Sequence, residues 1–413
     1  CIRRLRSSVL ATLVMDYFAV GGRPLLSRFP PYIQGSFRPN LRDPSLEADG
    51  GLVGREAEPP PRENLVIGGA SSSAPEVQRG PAASDAATVA SSDAECALPG
   101  QVVKTPTALH KGFDPKEVRP WDPCRFQKIR KLQDATRNRG QVFLMQDLTE
   151  DRLVAVKQMP NRWIRSCHSD FVIEHTAETE LPWQDVGCLQ FLNSLGYLYA
   201  CSLLGVYRDD VSTYVVTPFA TEGDLFSWCD VGVAPGLERE TVVLPLARQM
   251  IEGVQQLHDL SIVHRDLSLE NILLSKLDDG SLVIRIIDFS MASTSRRFRH
   301  CVRGKESYQA PELHTDNEYD AYLTDAFSLG VTLYAVLFKD YPWLSTRPGG
   351  CKCFEYVRKH GLRSYLAKRK LRSSSARVAD VMSEPLKQLL EGMLALDPAE
   401  RLTLGEKGWG EGS

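Results

Sequence analysis

The chain has 413 residues, of which 43% are hydrophobic and 24% are charged. This length allows two or three domains, and the apolar fraction is enough for a sizeable core. The net charge of −3 argues against attraction of the whole protein to nucleic acid or to an anionic membrane, so neither is expected as a partner. The ten cysteines show no pairing intervals, which is typical of free thiols in a reducing compartment and favours a cytoplasmic location.

The first residues carry a basic and then an apolar pattern. Residues 3–6 include three arginines, and residues 9–15 form an apolar run that Asp16 interrupts. The pattern resembles the start of a signal peptide but is too short to span a bilayer. We interpret residues 3–20 as a candidate vestigial signal or anchor, which would make the protein secreted or exported; the alternative is an amphipathic stub. Because the chain begins with Cys1 and not Met, we expect a fragment or a processed product.

Residues 21–100 are rich in Pro, Gly and Ser, as in the run Pro59-Pro60-Pro61. Such segments cannot bury enough apolar surface to offset the entropy of ordering the chain. The composition therefore predicts disorder over residues 1–100, as a solvated tether or a docking tail. A proline-rich ligand for a partner's aromatic groove is the alternative.

From Trp121 the pattern changes. Short β-rich runs at 141–145, 152–158 and 213–218 predict a small antiparallel sheet. After Gly223, long helical patterns dominate, at 241–257, 326–338 and 385–396. These runs predict an α+β fold with a small β-rich lobe, a larger helical lobe and a cleft between them.

The segment richest in chemistry lies in the second half. Residues 264–271 read His-Arg-Asp-Leu-Ser-Leu-Glu-Asn, and Asp288-Phe289-Ser290 follows seventeen residues after Asn271. Residues 254–263 are apolar at helical spacing, while 272–274 and 283–287 are typical of strands. Two carboxylates and a carboxamide at these intervals suit phosphoryl transfer, with Asp266 orienting and deprotonating a hydroxyl and the other two holding Mg²⁺.

The two motifs of this segment and four others resemble those of the eukaryotic protein kinase superfamily. Val154-Ala155-Val156-Lys157 resembles the strand that bears the phosphate-binding lysine, and Ala310-Pro311-Glu312 is similar to the end of an activation segment. Six motifs in the right order over roughly 280 residues make coincidence improbable. The resemblance implies a bilobal kinase domain over residues 120–405, with an N-lobe at about 120–217, a hinge at 218–223 and a C-lobe at 224–405.

The resemblance also implies the reaction and the residues that carry it. It implies a protein Ser/Thr kinase that transfers the γ-phosphate of ATP to a hydroxyl of a protein substrate. Asp266 would be the base, with Lys157 and Asn271 as the other catalytic residues, and Asn271 and Asp288 would bind Mg²⁺, with Mn²⁺ as the alternative. The implied nucleotide contacts are Lys157, Val142, Ala155, Thr217, Ala220 through its backbone, Asp224 at the ribose, Leu273 under the base, and Asp288.

A kinase-like Lys157 needs an acidic partner from a helix. The apolar helical run at 186–192 puts Asp185 best in register, with Glu180 and Glu178 as alternatives. Any of the three could instead be a solvated acid at a helix start.

Four further residues are expected to have structural roles. Glu312 and Arg401 would form an ion pair, and Asp325, in a motif resembling the Asp-x-Trp-Ser-x-Gly helix start, would cap a helix. His264 is expected to be a hydrogen-bonded structural residue rather than an acid or a base.

Several positions depart from the kinase pattern. In the glycine-rich loop only Gly140 and Val142 remain, and Arg137 and Arg139 could supply side-chain charge near the phosphates or could face water. Ser290 replaces a glycine. Ser268 stands where Ser/Thr kinases usually place the lysine that meets the γ-phosphate. Lys305 stands where they have a threonine that contacts residues 264–271, the catalytic loop. These departures support an alternative function, a pseudokinase scaffold or allosteric partner with little or no turnover, and they resemble divergent kinases of parasitic protists.

Two basic regions remain. Arginines surround the hydroxyls of the loop before Ala310, and Arg265 could engage a phosphorylated residue there. The alternatives are that the basic run recognises acidic substrates or is simply exposed. The candidate hydroxyls are Ser293, Thr294, Ser295 and Ser307. The basic stretch at 359–377 is predicted to be a solvated helical face, with an acidic docking partner as the alternative. No sequence pattern bears on the oligomeric state.

Overall fold

A computed structural model of the chain describes residues 105, 108–135, 139–230 and 232–407. The predictions of disorder over residues 1–100, of a signal or anchor at 3–20 and of a charge from Arg137 lie outside these residues. The described residues form two lobes, a sheet-rich one followed by a mainly helical one. The predicted α+β, bilobal fold class is confirmed.

The smaller lobe is built on a six-stranded sheet in the order β1-β5-β6-β4-β3-β2. Neighbouring strands are antiparallel, except that β1 and β5 are parallel. The strands are β1 Arg119–Pro120, β2 Phe126–Ala135, β3 Gly140–Asp147, β4 Arg152–Pro160, β5 Gly205–Arg208 and β6 Ser212–Pro218. Alternate side chains of these strands, among them Phe143, Val156 and Val216, pack into a buried cluster, which leaves the opposite face toward the cleft.

Three helices complete this lobe: α1 Asn161–Ile164, α2 His168–Glu174 and α3 Pro182–Ser194. Helix α3 starts with proline at its first position, where the missing N–H costs nothing. A 3₁₀ turn, Leu109–Gly112, packs so closely on α3 that a Cβ at Gly187 would lie 2.4 Å from the carbonyl oxygen of Leu109. Glycine at this position therefore lets the segment before the sheet lie against the helix.

The larger lobe surrounds one buried helix. Its helices are α4 Leu225–Cys229, α5 Leu237–Asp259, α6 Glu312–Thr315, α7 Ala321–Phe338, α8 Lys352–His360, α9 Leu362–Lys368 and α10 Glu384–Met393. Its strands are β7 Gly223–Asp224, β8 Ile272–Lys276, β9 Leu282–Ile286, β10 Arg297–Arg299 and β11 Glu318–Asp320. Helix α7 is long and apolar enough to cross a membrane, but 94% of it is buried inside the fold, as expected for the core helix of a globular lobe.

The predicted elements agree with the structure except at their ends. The helix predicted over 241–257 is α5, which begins earlier at Leu237 and ends at Asp259. The helix predicted over 326–338 begins at Ala321, and the one predicted over 385–396 ends at Met393.

One structural prediction for this lobe is wrong, and a second holds for every basic residue of its stretch except one. Asp320, not Asp325, caps α7, and its carboxylate accepts a hydrogen bond from the N–H of Tyr322 at 3.0 Å. The basic stretch at 359–377 is not solvated throughout, because Arg369 is only 3% exposed and donates to Asp340 at 2.7 Å. A charge of this kind is tolerated in the core because it is paired.

Candidate active site

Four of the predicted nucleotide contacts lie on one face of the smaller lobe's sheet. Val142 is directly opposite Lys157 across β3 and β4, and Ala155 is opposite Thr217 across β4 and β6. Cross-strand partners and residues two apart on a strand share a face. All four side chains are half-buried, whereas the alternating residues between them are buried in the core. The face is therefore partly open toward the cleft.

Lys157 is held by an acid from helix α3. Its Nζ lies 3.4 Å from Oδ2 of Asp185, and Oδ1 of Asp185 accepts from the backbone N–H of Phe289 at 2.8 Å. Of the three candidate acids, the structure brings Asp185 to the lysine. Glu180 is buried, and both Glu180 and Glu178 line a separate pocket beside Arg139. One short side chain thus joins β4, α3 and the Asp288-Phe289-Ser290 segment.

Two nearby carboxylates stabilise the charged form of Lys157. Burial alone lowers the pKa of Lys157, but the charges of Asp185 and Asp288 outweigh it and raise that pKa. Burial also raises the pKa of Asp185, and the negative charge of Asp288 adds to this effect. For Asp288 burial again works against ionisation, but Lys157 and a hydrogen bond from Ser290 prevail, with a smaller contribution from Lys305, so its pKa is lowered. The pKa values of the two carboxyl groups therefore move in opposite directions, and Asp288 is the more acidic of the pair.

The core helix α7 anchors the catalytic loop through the side chain of Asp325. Asp325 is 1% exposed, and its two carboxylate oxygens accept from the backbone N–H groups of His264, at 2.7 Å, and Arg265, at 2.9 Å. The Nε2 atom of His264 lies 3.1 Å from the carbonyl oxygen of Ile287, in keeping with the structural role predicted for this histidine. Arg265 adopts a left-handed backbone conformation, φ 68°, which these bonds stabilise.

Asp266 is a buried acid whose carboxylate accepts hydrogen bonds from two segments of the chain. It is 5% exposed, its Oδ1 accepts from the backbone N–H of Lys305 at 3.0 Å, and its Oδ2 accepts from Nδ2 of Asn271 at 3.1 Å. The same amide nitrogen donates to the carbonyl oxygen of Asp266 at 2.7 Å. Asn271 therefore uses its nitrogen to hold the loop, which directs its amide oxygen away from these contacts.

Asp288 lies at the start of a 3₁₀ turn, Phe289–Met291, and itself has the left-handed backbone, φ 66°. The hydroxyl of Ser290 donates to Oδ1 of Asp288 at 2.6 Å. The serine that replaces the usual glycine is thus inside a regular turn, and its side chain occupies one oxygen of the predicted metal ligand.

The three residues predicted at the base and ribose lie at the hinge end of the cleft. Asp224 on β7 is paired with Leu273 on β8. The carboxylate of Asp224 also accepts from the N–H of Ser227 at 2.7 Å and so caps α4. The carbonyl oxygen of Ala220 accepts from the N–H of Gly223 at 3.3 Å, so the N–H of Ala220 is the backbone group better suited to a base.

The glycine that remains of the reduced glycine loop is the first residue of β3, which pairs antiparallel with β2. A Cβ at Gly140 would lie 2.3 Å from the carbonyl oxygen of Gln158, so the remaining glycine permits close approach of two strands. Arg139 has a positive φ of 52° and lies over the ring of Trp163 at 5.3 Å. It also lines a pocket together with Glu178 and Arg303.

The activation segment, residues 288–312, is held by the pairing of two strands and by contacts with Arg265. Strands β10 and β11 pair antiparallel. The guanidinium of Arg265 lies 3.8 Å from the ring centroid of Phe298 and donates to Sγ of Cys301 at 3.0 Å. The structure therefore brings Arg265 to a thiol and not to the predicted hydroxyls. Ser307 is held elsewhere, since its hydroxyl donates to the carbonyl oxygen of Leu344 at 2.9 Å.

The predicted ion pair between Glu312 and Arg401 is present. Nη2 of Arg401 donates to Oε2 of Glu312 at 2.9 Å, and both residues are at most 3% exposed. The pair joins the end of the activation segment to the part of the chain after α10.

Two features were missed by sequence reasoning. The anchoring role of Asp325 was missed because an acid near a helix start is usually a cap. The contact between Lys305 and Ser268, whose Nζ and Oγ are 2.7 Å apart, was missed although a signal was present. Both positions depart from the kinase pattern, and each carries the kind of group expected at the other.

Comparison with known proteins agrees with this geometry. The family model described as "Protein kinase domain" matches residues 138–407. "CBL-interacting serine/threonine-protein kinase 17" of Arabidopsis thaliana is 36% identical over 137 residues, 32% of this chain and 30% of that protein. "Probable serine/threonine-protein kinase fhkD" of Dictyostelium discoideum is 30% identical over 228 residues, 52% and 29% respectively. "Serine/threonine-protein kinase SIK3 homolog" of Danio rerio is 31% identical over 218 residues, which are 52% of this chain and 16% of that protein.

The chain spans less than a third of the length of each of these relatives. The family match, in contrast, covers well over half of this chain. It includes the larger lobe, the cleft, the activation segment and the smaller lobe from β3 onward. The chain therefore belongs to the protein kinase family.

Proposed function

We propose that this protein transfers the γ-phosphate of ATP to a serine or threonine hydroxyl of a protein substrate. The observation that carries the proposal is the setting of Asp266. It is almost fully buried, held by Asn271 and by the backbone of Lys305, and its loop is fixed to the core helix by Asp325. A base on a rigid loop, facing a cleft, suits the orientation of a substrate hydroxyl.

The other groups that phosphoryl transfer needs share the same cleft. Lys157, charged and paired with Asp185, would hold the α- and β-phosphates. The half-buried face formed by Val142, Ala155 and Thr217 would cover the base. The function then depends on positioning and on charge, as expected for phosphoryl transfer.

Asn271 and Asp288 fit a divalent cation. Their oxygens are the hard ligands that Mg²⁺ prefers, and the lowered pKa of Asp288 keeps its carboxylate ionised. Among the described residues, no group of three or more His, Cys, Asp or Glu side chains could hold a metal alone. The cation would therefore bind through these two residues together with phosphate oxygens, and it would neutralise charge on the transferring group.

The Ser/Thr class is favoured over the tyrosine class by two observations. Ser268-Leu269-Glu270 does not resemble the Ala-Ala-Arg or Arg-Ala-Ala that tyrosine kinases favour before the asparagine. The relatives reported above are named serine/threonine-protein kinases.

The test is incorporation of label from γ-labelled ATP into generic protein substrates, with Mg²⁺ and then with Mn²⁺. Phosphoamino-acid analysis of the product should give phosphoserine or phosphothreonine, and Lys157→Met should abolish incorporation. Absence of label with either metal, or label that persists in Lys157→Met, would refute the proposal. Lys339→Met, which changes a lysine at the end of α7, serves as a matched control.

A nucleotide-binding scaffold with little turnover is the second candidate. The observation that favours it is the hydrogen bond from Ser290 to Asp288, 2.6 Å, because it occupies an oxygen that a metal would need. A scaffold would show thermal stabilisation by nucleotide without transfer. In that case Ser290→Gly should strengthen the Mg²⁺ dependence of nucleotide binding.

A further inference from the structure

Two departures from the kinase pattern, at residues 268 and 305, face each other in the structure. The resemblance expects a lysine at 268 and a threonine at 305, whereas the chain has Ser268 and Lys305. Nζ of Lys305 donates to Oγ of Ser268 at 2.7 Å. The contact therefore joins an ammonium and a hydroxyl, as a lysine at 268 and a threonine at 305 would. Here, however, the ammonium comes from position 305 and the hydroxyl from position 268.

The backbone around Lys305 is fixed to the catalytic loop. Its N–H donates to Oδ1 of Asp266 at 3.0 Å. Gly304, with φ +83°, makes this approach feasible, because a Cβ there would lie 2.8 Å from the carbonyl oxygen of Arg265. Further along, the hydroxyl of Tyr308 accepts from the N–H of Leu269 at 3.2 Å. The backbone of Lys305 is thus fixed beside Asp266, the proposed base.

The ammonium lies beyond the short serine side chain. Ser268 is fully buried, whereas the side chain of Lys305 is 28% exposed, 3.4 Å from Oδ2 of Asp266 and 4.0 Å from Oε2 of Glu270. A longer side chain from position 268 would extend into this same space. The cation therefore occupies the region that a catalytic-loop lysine would reach, and it is partly open to the cleft.

The ammonium of Lys305 offsets negative charge on neighbouring carboxylates. Two carboxylates lie within 4.0 Å of it, those of Asp266 and Glu270. A transferring phosphoryl group would add more negative charge at this point. Lys157, which is held between Asp185 and Asp288, is the cation expected at the α- and β-phosphates, so a second cation is needed near the γ-phosphate.

We propose that Ser268 and Lys305 have exchanged roles, so that Lys305 supplies from the activation segment the ammonium that contacts the γ-phosphate. Ser268 supplies the hydroxyl that ties this segment to the catalytic loop. The inference rests on the proposed function. It has a mechanistic consequence: displacement of the activation segment would remove a phosphate contact directly, as well as altering the binding of the protein substrate.

The test compares the parent, Lys305→Met, Arg303→Met and the double variant Ser268→Lys/Lys305→Thr. The first readout is the ratio of affinities for the Mg²⁺ complexes of ADP and of an ATP analogue with an imido β–γ bridge. Lys305→Met should lose about tenfold of the preference for the triphosphate, the effect of one charge-assisted hydrogen bond. Arg303→Met removes a cation two residues earlier and should retain the preference.

The second readout is kcat. Loss of a donor to the transferring group typically costs roughly 100-fold, and Lys305→Met should fall by that order with little change in melting temperature. The double variant restores the usual arrangement of lysine and threonine, so it should recover most of the lost kcat and the triphosphate preference. If Lys305 served only to hold the segment in place, Lys305→Met would keep the preference of the parent for the triphosphate.

The outcomes separate this inference from the proposed function. A parent that binds nucleotide without transfer would refute the active kinase, while the affinity ratio would still decide the role of Lys305. Transfer by the parent, with an unchanged ratio in Lys305→Met, an equal loss in Arg303→Met or no recovery in the folded double variant, would overturn the exchange alone. A parent that binds neither nucleotide would refute both.

Discussion

The buried histidine beneath the catalytic loop should make stability depend on pH. His258 is 2% exposed, and its two ring nitrogens lie 3.2 Å from Oδ2 of Asp325 and 2.8 Å from Oε1 of Glu406. Burial by itself lowers the pKa of His258, but the hydrogen bonds and charges of the two carboxylates outweigh it and raise the pKa from 6.5 to about 9. The protonated ring thereby holds the same Asp325 that anchors His264 and Arg265.

The direction and size of the effect follow from this shift. Because the folded protein binds the proton more tightly than the unfolded chain, the stabilisation is complete below about pH 6.5 and is lost as pH rises through about 9. A rise of this size, at about 1.4 kcal/mol per pH unit, corresponds to roughly 3 kcal/mol of unfolding free energy. The loss should be spread between the two values.

The assay is urea unfolding at a series of pH values from 6 to 9.5. We expect His258→Gln to be less stable than the parent at pH 6 and the difference between the two to shrink by several kcal/mol toward pH 9.5. His360→Gln, which changes an exposed histidine at the end of α8, should parallel the parent. Parallel profiles for the parent and His258→Gln would refute the reasoning, since they would mean that the ring is not charged in the folded state.

Two further substitutions test the packing around the cleft. Glu312→Gln would leave the buried guanidinium of Arg401 without its counter-charge, and we expect a loss of about 3–5 kcal/mol in unfolding free energy; an unchanged urea midpoint would contradict this. Gly140→Ala would place a Cβ 2.3 Å from the carbonyl oxygen of Gln158 and should push β3 from β4, weakening nucleotide binding in calorimetric titration. Unaltered affinity would show that the strands can separate without cost to the cleft.

The fold was predictable because its periodic elements follow local rules. The apolar pattern of α7 and the alternation along β4 are visible in the sequence. The first turn of α5 was missed because it contains Arg239 and Glu240, both 1% exposed. Their partners, such as the carbonyl oxygen of Val336 and the N–H of Ser383, are far away in the chain. Tertiary pairing of this kind has no periodic signature.

The site was predictable in its ordered motifs but not in its cross-connections. Asp266, Asn271 and Asp288 could be singled out because they occur at fixed intervals in one segment. The choice of Asp185 over Glu180 required the orientation of α3, which the sequence left open. The placement of Lys305 against Ser268 required the return of the activation segment over the catalytic loop, a contact between residues 37 positions apart.

The central claim is that Asp266 acts as the base of phosphoryl transfer, and its most direct test is the kcat of Asp266→Asn at saturating ATP. Asparagine keeps the shape of the side chain but cannot receive a proton, so we expect kcat to fall by about 100- to 10,000-fold while the KM for ATP stays near that of the parent. Asp278→Asn, in the exposed turn between β8 and β9, should behave like the parent. An unchanged kcat in Asp266→Asn would contradict the assignment.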